Sequence, residues 1–168
     1  MVYAVIGAGM VGAAAARHLA QAGHEVILIG SDEPNDKSNY AGPFASYYDS
    51  GRITRGLATD SFWALASLES IARYRDIEAA SGIEFFNEVG CLMAGPRDAP
   101  HLKNVGEVAQ RLGLAADRFS FEELCGKFPY FSFDDDDIGY FEKTSAGTID
   151  PRKLVAAQIK LTQIHGGR

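Results

Sequence analysis

Apolar and polar positions follow two rhythms along this chain. Val2 to Ile6 is a short apolar run closed by Gly7, which predicts a strand buried on both faces of a parallel sheet. From Ala13 to Ala22 the chain is rich in Ala and Leu and stops at Gly23, as a helix followed by a left-handed cap would. Val26 to Ile29 then reads as a second buried strand. Strand, glycine turn, helix and strand within about 30 residues predict a βαβ unit with a right-handed crossover.

The periodicity lapses from Gly30 to roughly Asp60, where Gly, Ser, Asn, Asp and Tyr dominate, and long loops of this kind are often functional. It returns as a helix capped by Asp60 or Ser61, with Leu65, Leu68, Ile71 and Ala72 on one face and Gly82 as its stop. The stretch IEFFNEVGCLMAGP predicts two short strands around Glu88 to Gly90. A helix from about Ala99 to Leu112 ends at Gly113, and Ser120 with Glu123 forms a capping box for a short helix ending before Pro129. IGYFEKTSAGTID is extended. Asp150 and Pro151 then open a last helix whose Leu154, Ala157, Leu161 and Ile164 share a face.

Composition narrows the class. With 46% hydrophobic and 23% charged residues in 168, the chain is a globular mixture with enough material for a sizeable core. Its net charge of −6 and its scattered Lys and Arg offer no basic stripe, so nucleic acid is not an expected partner. No apolar run approaches the roughly 20 residues of a membrane span, and no targeting peptide is visible. Cys91 and Cys125 lack metal-ligand spacing and are expected to be buried free thiols in a reducing, cytoplasmic setting. The run Asp134 to Asp137 lacks the alternating ligands and glycine bend of a calcium loop and reads as a solvated turn.

The chemistry concentrates at Gly7, Gly9 and Gly12, which satisfy G-x-G-x-x-G directly after a strand and at the start of a helix. The spacing suits a dinucleotide: a tight turn, close approach of a pyrophosphate, and close packing of helix on strand. The helix start at Met10 and Val11 aims backbone N–H groups and the positive end of its dipole at the phosphates. The acid that usually closes the second strand is absent, its place taken by Gly30. That counts against NAD, and Ser31, Asp32 and Glu33 count against the extra phosphate of NADP. Asp32, Glu33, a backbone group or a water stay open as the ribose contact.

The chain resembles the FAD-dependent oxidoreductases of the D-amino-acid-oxidase type, near the sarcosine and N-methylamino-acid oxidases. The resemblance spans nearly all of it and rests, in order, on VIGAGMVGAAAARHLAQAG, SYYDSGRITR, NEVGCLMAGP and AGTIDPRKLV. It implies FAD as cofactor, a flavin-side loop carrying Ser46, Tyr47 and Tyr48, Arg52 beside the flavin ring, and Arg55 facing a substrate carboxylate. A guanidinium grips a carboxylate bidentately, and positive charge near a flavin stabilises its anionic reduced form. The alternative for both arginines is surface pairing with Asp49 or Asp60. Tyr47 and Tyr48 stand where close relatives often have histidines, and they offer packing and hydroxyl hydrogen bonds instead of a base. Neither cysteine matches the one that tethers flavin in some relatives.

The fold class expected is α/β: a Rossmann-like FAD-binding βαβ unit with part of an interleaved α+β substrate domain, an incomplete two-domain fold. Residues 1–81 and 150–168 are assigned to the FAD-binding part and residues 82–149 to the substrate part. Two strands cannot make the covered sheet such proteins require, so a C-terminal segment or a second chain is expected to complete it. The reaction implied is oxidation of the carbon–nitrogen bond of a small amine or amino acid by hydride transfer to flavin. A nicotinamide-dependent dehydrogenase and a non-catalytic nucleotide-binding module are the alternatives.

Overall fold

The computed structural model describes residues 1–42 and 44–168. In chain order its elements are β1 (Val2–Ile6), α1 (Met10–Gln21), β2 (Glu25–Ile29), β3 (Arg52–Thr54), α2 (Ser61–Ile71), α3 (Tyr74–Ser81), β4 (Phe86–Asn87), β5 (Cys91–Pro96), α4 (Pro100–Leu112), β6 (Ala116–Phe119), α5 (Phe121–Lys127), β7 (Asp137–Glu142), β8 (Gly147–Ile149) and α6 (Pro151–Ile164). The chain divides into two compact units. The first comprises Met1–Arg52, Tyr74–Phe86 and Ile149–Arg168, and the second Ile53–Arg73 and Asn87–Thr148.

In the first unit β1 and β2 pair in parallel from Val2 opposite Glu25 to Ile6 opposite Ile29. Small residues on α1 let the helix lie close: Ala16 and Ala20 are buried with Val26, and Val5, Leu19 and Leu28 pack around them. A second cluster joins Ala13 of α1, Tyr47 of the loop and Val155 of α6. Between α1 and α6 the buried Arg17 donates from Nε to Gln158 Oε1, so its charge-bearing head is satisfied within the helix pair. Asp150 caps α6 by accepting the Lys153 N–H at 3.1 Å, as expected from the Asp-Pro pair.

Burial of β1 departs from the sequence expectation. Val2 is 54%, Ile6 84% and Ile29 51% exposed, because α1 covers only the face that carries Val5, Val26 and Leu28. Alternate residues of a strand point to opposite faces, so the uncovered face presents the other half of each run. On the far edge of β2, the Arg168 N–H donates to the Val26 carbonyl at 3.0 Å and the Leu28 N–H donates to the Arg168 carbonyl at 2.7 Å, a parallel pairing.

The second unit is built on an antiparallel sheet in the order β5-β7-β6. Cys91 lies opposite Glu142 and Pro96 opposite Asp137, while Ala116 to Phe119 pairs along the other edge of β7. The β6 strand has no counterpart in the sequence reading, since its ADRF lacks an apolar alternation. Leu57, Val105 and Ala109 form the core beneath this sheet, ringed by Met93, Leu114, Ala116 and Tyr140. The capping box at Ser120 forms with both of its bonds. The Asp run closes as a turn, with the Asp137 N–H donating to the Asp134 carbonyl at 2.9 Å, but Asp137 itself is buried at the start of β7 and is not part of a solvated turn.

The single helix expected before Gly82 is two, broken at Ala72 and Arg73. The break falls where the chain leaves the second unit for the first: α2 packs on α4, and α3 packs on α6. Asp60 is the cap, accepting the Trp63 N–H at 3.0 Å, and the inward line of α2 is Ala64 and Ile71, which leaves Leu65 51% exposed. Ile164, in the last turn of α6, is 58% exposed. Among the described residues no helix is long and apolar enough to cross a membrane.

Candidate cofactor and substrate sites

The glycine turn of the first unit is held by specific contacts. Gly7 has φ +106°, a conformation L side chains rarely adopt, and its N–H donates to the Ile29 carbonyl at 2.7 Å. A Cβ on Gly12 would lie 1.7 Å from the Gly7 carbonyl oxygen, so glycine at that position is what lets α1 start against the turn. Gly9 is the N-cap of α1 and provides no side-chain cap, and the first intrahelical bond runs from the Ala13 N–H to the Gly9 carbonyl at 2.9 Å. The N–H groups of Met10, Val11 and Gly12 therefore stand at the positive end of the helix without intrahelical acceptors.

Two clefts flank this turn within the same unit. One, of about 530 Å³, is lined by the turn from Val5 to Gly12 and by Ser46. The other, of about 400 Å³, is lined by Gly7, Gly9, Gly30 and Ser31 on one side and by Phe44, Tyr47 and Tyr48 on the other. Both volumes fall in the range of small-ligand sites. Tyr47 is buried, and its ring lies edge-on to Tyr48 with centroids 4.8 Å apart. Burial, with the nearby charges of Tyr48, Asp32 and Glu33, pushes the Tyr47 hydroxyl above its ordinary value, so it stays protonated near neutrality.

Gly30 has a steric reason. A Cβ there would fall 2.5 Å from both the Cβ and the N of Ala8, so the end of β2 and the phosphate turn approach too closely for any side chain. Glu33 is committed elsewhere: Arg152 grips it through two bonds of 2.6 and 2.7 Å, and Lys37 Nζ lies 2.5 Å away. The Arg152 bond, then the Lys37 bond, lowers the Glu33 carboxyl from 4.5 to about 2. Arg152 also donates to the Tyr48 carbonyl at 2.5 Å, tying the aromatic loop to α6. Sequence reasoning passed over Arg152, whose only signal was its place in AGTIDPRKLV. Asp32 is exposed, and its carbonyl accepts from the Tyr48 hydroxyl at 3.4 Å.

These features fit the dinucleotide that the sequence resemblance implies: uncapped N–H donors, a glycine turn closely packed at Gly12, adjoining clefts and one exposed carboxylate just past β2. Arg52 lies in the same unit, half-buried, with Nε 2.9 Å and Nη2 2.5 Å from Asp49 Oδ2 and Nη1 4.0 Å from the Met10 sulfur. The surface-pairing alternative with Asp49 is thus realised in this structure.

Arg55 belongs to the second unit. Its Nε is buried and has no hydrogen-bond partner among the described residues. The next two residues are clamped by a carboxylate from β7: Glu142 Oε2 accepts the Gly56 N–H at 2.9 Å and the Leu57 N–H at 3.1 Å. Glu142 is only 3% exposed. Burial pushes its carboxyl above the ordinary value, opposed by the Leu57 and Gly56 N–H groups and by the Arg55 charge. Nothing in the apolar alternation of IGYFE announced this glutamate as an interior group.

Comparison with known proteins agrees with this anatomy. The model of the family described as FAD dependent oxidoreductase matches residues 3–168. The chain is 25% identical over 162 residues to peroxisomal sarcosine oxidase of Mus musculus, covering 96% of this chain and 40% of that protein. It is 29% identical over 142 residues to N-methyl-L-tryptophan oxidase of Yersinia pestis (strain Pestoides F), covering 84% and 37%. Among solved structures, L-proline dehydrogenase from P. horikoshii shares the fold with a TM-score of 0.78 at 21% identity, over 99% of this chain and 42% of that one. The chain thus spans about 40% of the length of the relatives it matches. With its strand-turn-helix cradle and its near end-to-end match, it belongs to the FAD-dependent oxidoreductase family of the D-amino-acid-oxidase type.

Proposed function

We propose that this chain carries the pyrophosphate cradle and the carboxylate-directed arginine of an enzyme that oxidises the carbon–nitrogen bond of an amine or amino acid. The uncapped start of α1 beside a turn in which Gly12 leaves no room for a side chain carries this reading. The relatives that share the segment are more than twice as long, so turnover is proposed for the enzyme as a whole. The nucleotide-binding part is read as residues 1–81 and 150–168 and the substrate part as residues 82–149, although residues 53–73 cluster with the second compact unit. Against the expectation of buried thiols, Cys91 is half-buried and Cys125 exposed; a reducing, cytoplasmic setting is part of this reading.

In this reading the N–H groups of Met10, Val11 and Gly12 hold the pyrophosphate, while Gly7, Gly9 and Gly12 keep the turn clear. Ser46, Tyr47 and Tyr48 line the cofactor's cleft. Of the two acids proposed for the adenosine ribose, Asp32 is favoured, because Arg152 and Lys37 occupy Glu33. When bound, FAD supplies the hydride acceptor. Arg52, paired with Asp49, would place positive charge beside the flavin. Arg55 orients the substrate carboxylate bidentately.

Titration of the purified chain with FAD, ADP, 2′-deoxy-ADP and NAD tests the cradle. FAD and ADP are expected to bind, NAD to compete poorly, and Gly12→Val to abolish binding. Asp32→Ala should erase the preference for ADP over its 2′-deoxy analogue, whereas Glu33→Gln should keep it. Stronger binding of NAD than of FAD would sink the flavin assignment.

A further inference from the structure

Glu142 is a buried acid with no part in the cofactor cradle, and its geometry singles out one segment. Its Oε2 accepts two successive N–H groups, those of Gly56 and Leu57, immediately after Arg55. The fit is close: a Cβ on Gly56 would come within 2.7 Å of Glu142 Oε1 and 2.8 Å of Leu68 Cδ2. Leu57 is 1% exposed and locked into the core with Val105 and Ala109, so the bend is held from its other side as well. On β5, Cys91 lies opposite Glu142 in the sheet register, and its thiol senses the charges of both Arg55 and Glu142.

We propose that Glu142 is a positioning residue for Arg55: by clamping the N–H groups of Gly56 and Leu57 it fixes the bend from which the Arg55 guanidinium projects. The importance for substrate rests on the carboxylate-binding reading of Arg55, but the positioning itself does not. A clamp on the backbone needs an acceptor oxygen more than a charge, so glutamine can replace glutamate here and alanine cannot. Gly56→Ala attacks the same clamp from the opposite side while leaving the Glu142 carboxylate in the chain.

The nearby thiol supplies a readout that needs no substrate. In the full chain carrying Cys125→Ser, the alkylation rate of Cys91 by iodoacetamide at mildly alkaline pH reports the local charge. Burial raises that thiol, the Arg55 charge lowers it and the Glu142 charge raises it. Arg55→Ala should therefore slow alkylation by about threefold, because loss of the Arg55 charge lowers the thiolate fraction. In a double-mutant cycle the same Arg55→Ala step should shrink to less than about 1.5-fold in Glu142→Ala and in Gly56→Ala, and stay near threefold in Glu142→Gln. An undiminished effect in Glu142→Ala or Gly56→Ala, whichever folds, overturns the positioning role.

Affinities for propionate and propionamide separate the two claims. Should Arg55→Ala leave the preference for propionate unchanged, the carboxylate reading fails while the Cys91 cycle still decides the positioning. Should Arg55→Ala remove the preference while Glu142→Ala and Gly56→Ala keep it, the positioning fails and the carboxylate reading stands.

Discussion

Gly30 concentrates the residue-scale chemistry of the first unit. Its lack of a side chain lets the end of β2 meet the phosphate turn at Ala8, so no side chain can project toward a ligand from that position. Gly30→Ala should cost about 1–3 kcal/mol by overpacking, with Ala8→Gly recovering part of it, as read from urea unfolding midpoints. Glu33 shows how a neighbouring acid is taken out of contention. Its carboxyl falls from 4.5 to about 2 because Arg152 and then Lys37 bind the charged form. The folded state thus favours the ionised group. That stabilisation is fully present above about pH 4.5 and is lost as pH falls toward 2. Acid titration followed by circular dichroism should show wild type losing stability in this window more steeply than Glu33→Gln, and identical profiles would refute the linkage.

At the scale of elements, two buried carboxylates do the same job in different units. Glu142 receives the bend after β3, and Glu78 on α3 receives the approach to β4, with Oε1 2.7 Å from both the Phe85 and Phe86 nitrogens and Oε2 2.7 Å from Arg75 Nη1. Burial would raise the Glu78 carboxyl, yet the Phe86 and Phe85 N–H groups and Arg75 together hold it below its ordinary value. Glu78→Ala would strand two buried donors and should cost about 2–4 kcal/mol, with Glu78→Gln losing less because one acceptor survives. Chemical denaturation of the two variants checks the order. Helix caps, by contrast, were readable in advance. Asp60, Ser120 and Asp150 act through residues three positions away, a distance that sequence spacing reports directly.

Across the whole molecule, the chain passes between its two compact units at several points. Within the first unit, one face of the β1–β2 pair remains apolar and open, with Val2, Ile6 and Ile29 more than half exposed. Parallel strands are ordinarily covered on both faces, so this surface should bind a hydrophobic dye such as ANS strongly in the purified chain. Val2→Lys should reduce that fluorescence without lowering the unfolding midpoint. Unchanged fluorescence would locate the sticky surface elsewhere, for example on α2, where Phe62 and Trp63 are also exposed.

Local chemistry written in consecutive residues determined the βαβ unit, the glycine turn, the caps, the stop at Gly113 and the family resemblance. Each depends on contacts within a turn or two of helix or on the alternation of a single strand. Tertiary structure decided the partners. Glu33 meets Arg152 across 119 positions, Glu142 meets Gly56 across 86, and Gly30 meets Ala8 through the pairing of two strands. It also decided that the helix before Gly82 breaks at Ala72, since its halves pack on different helices. Periodicity records which face of an element is apolar. Which distant group fills a buried acceptor, and which of two adjacent acids stays free for a ligand, follows only from how the elements meet.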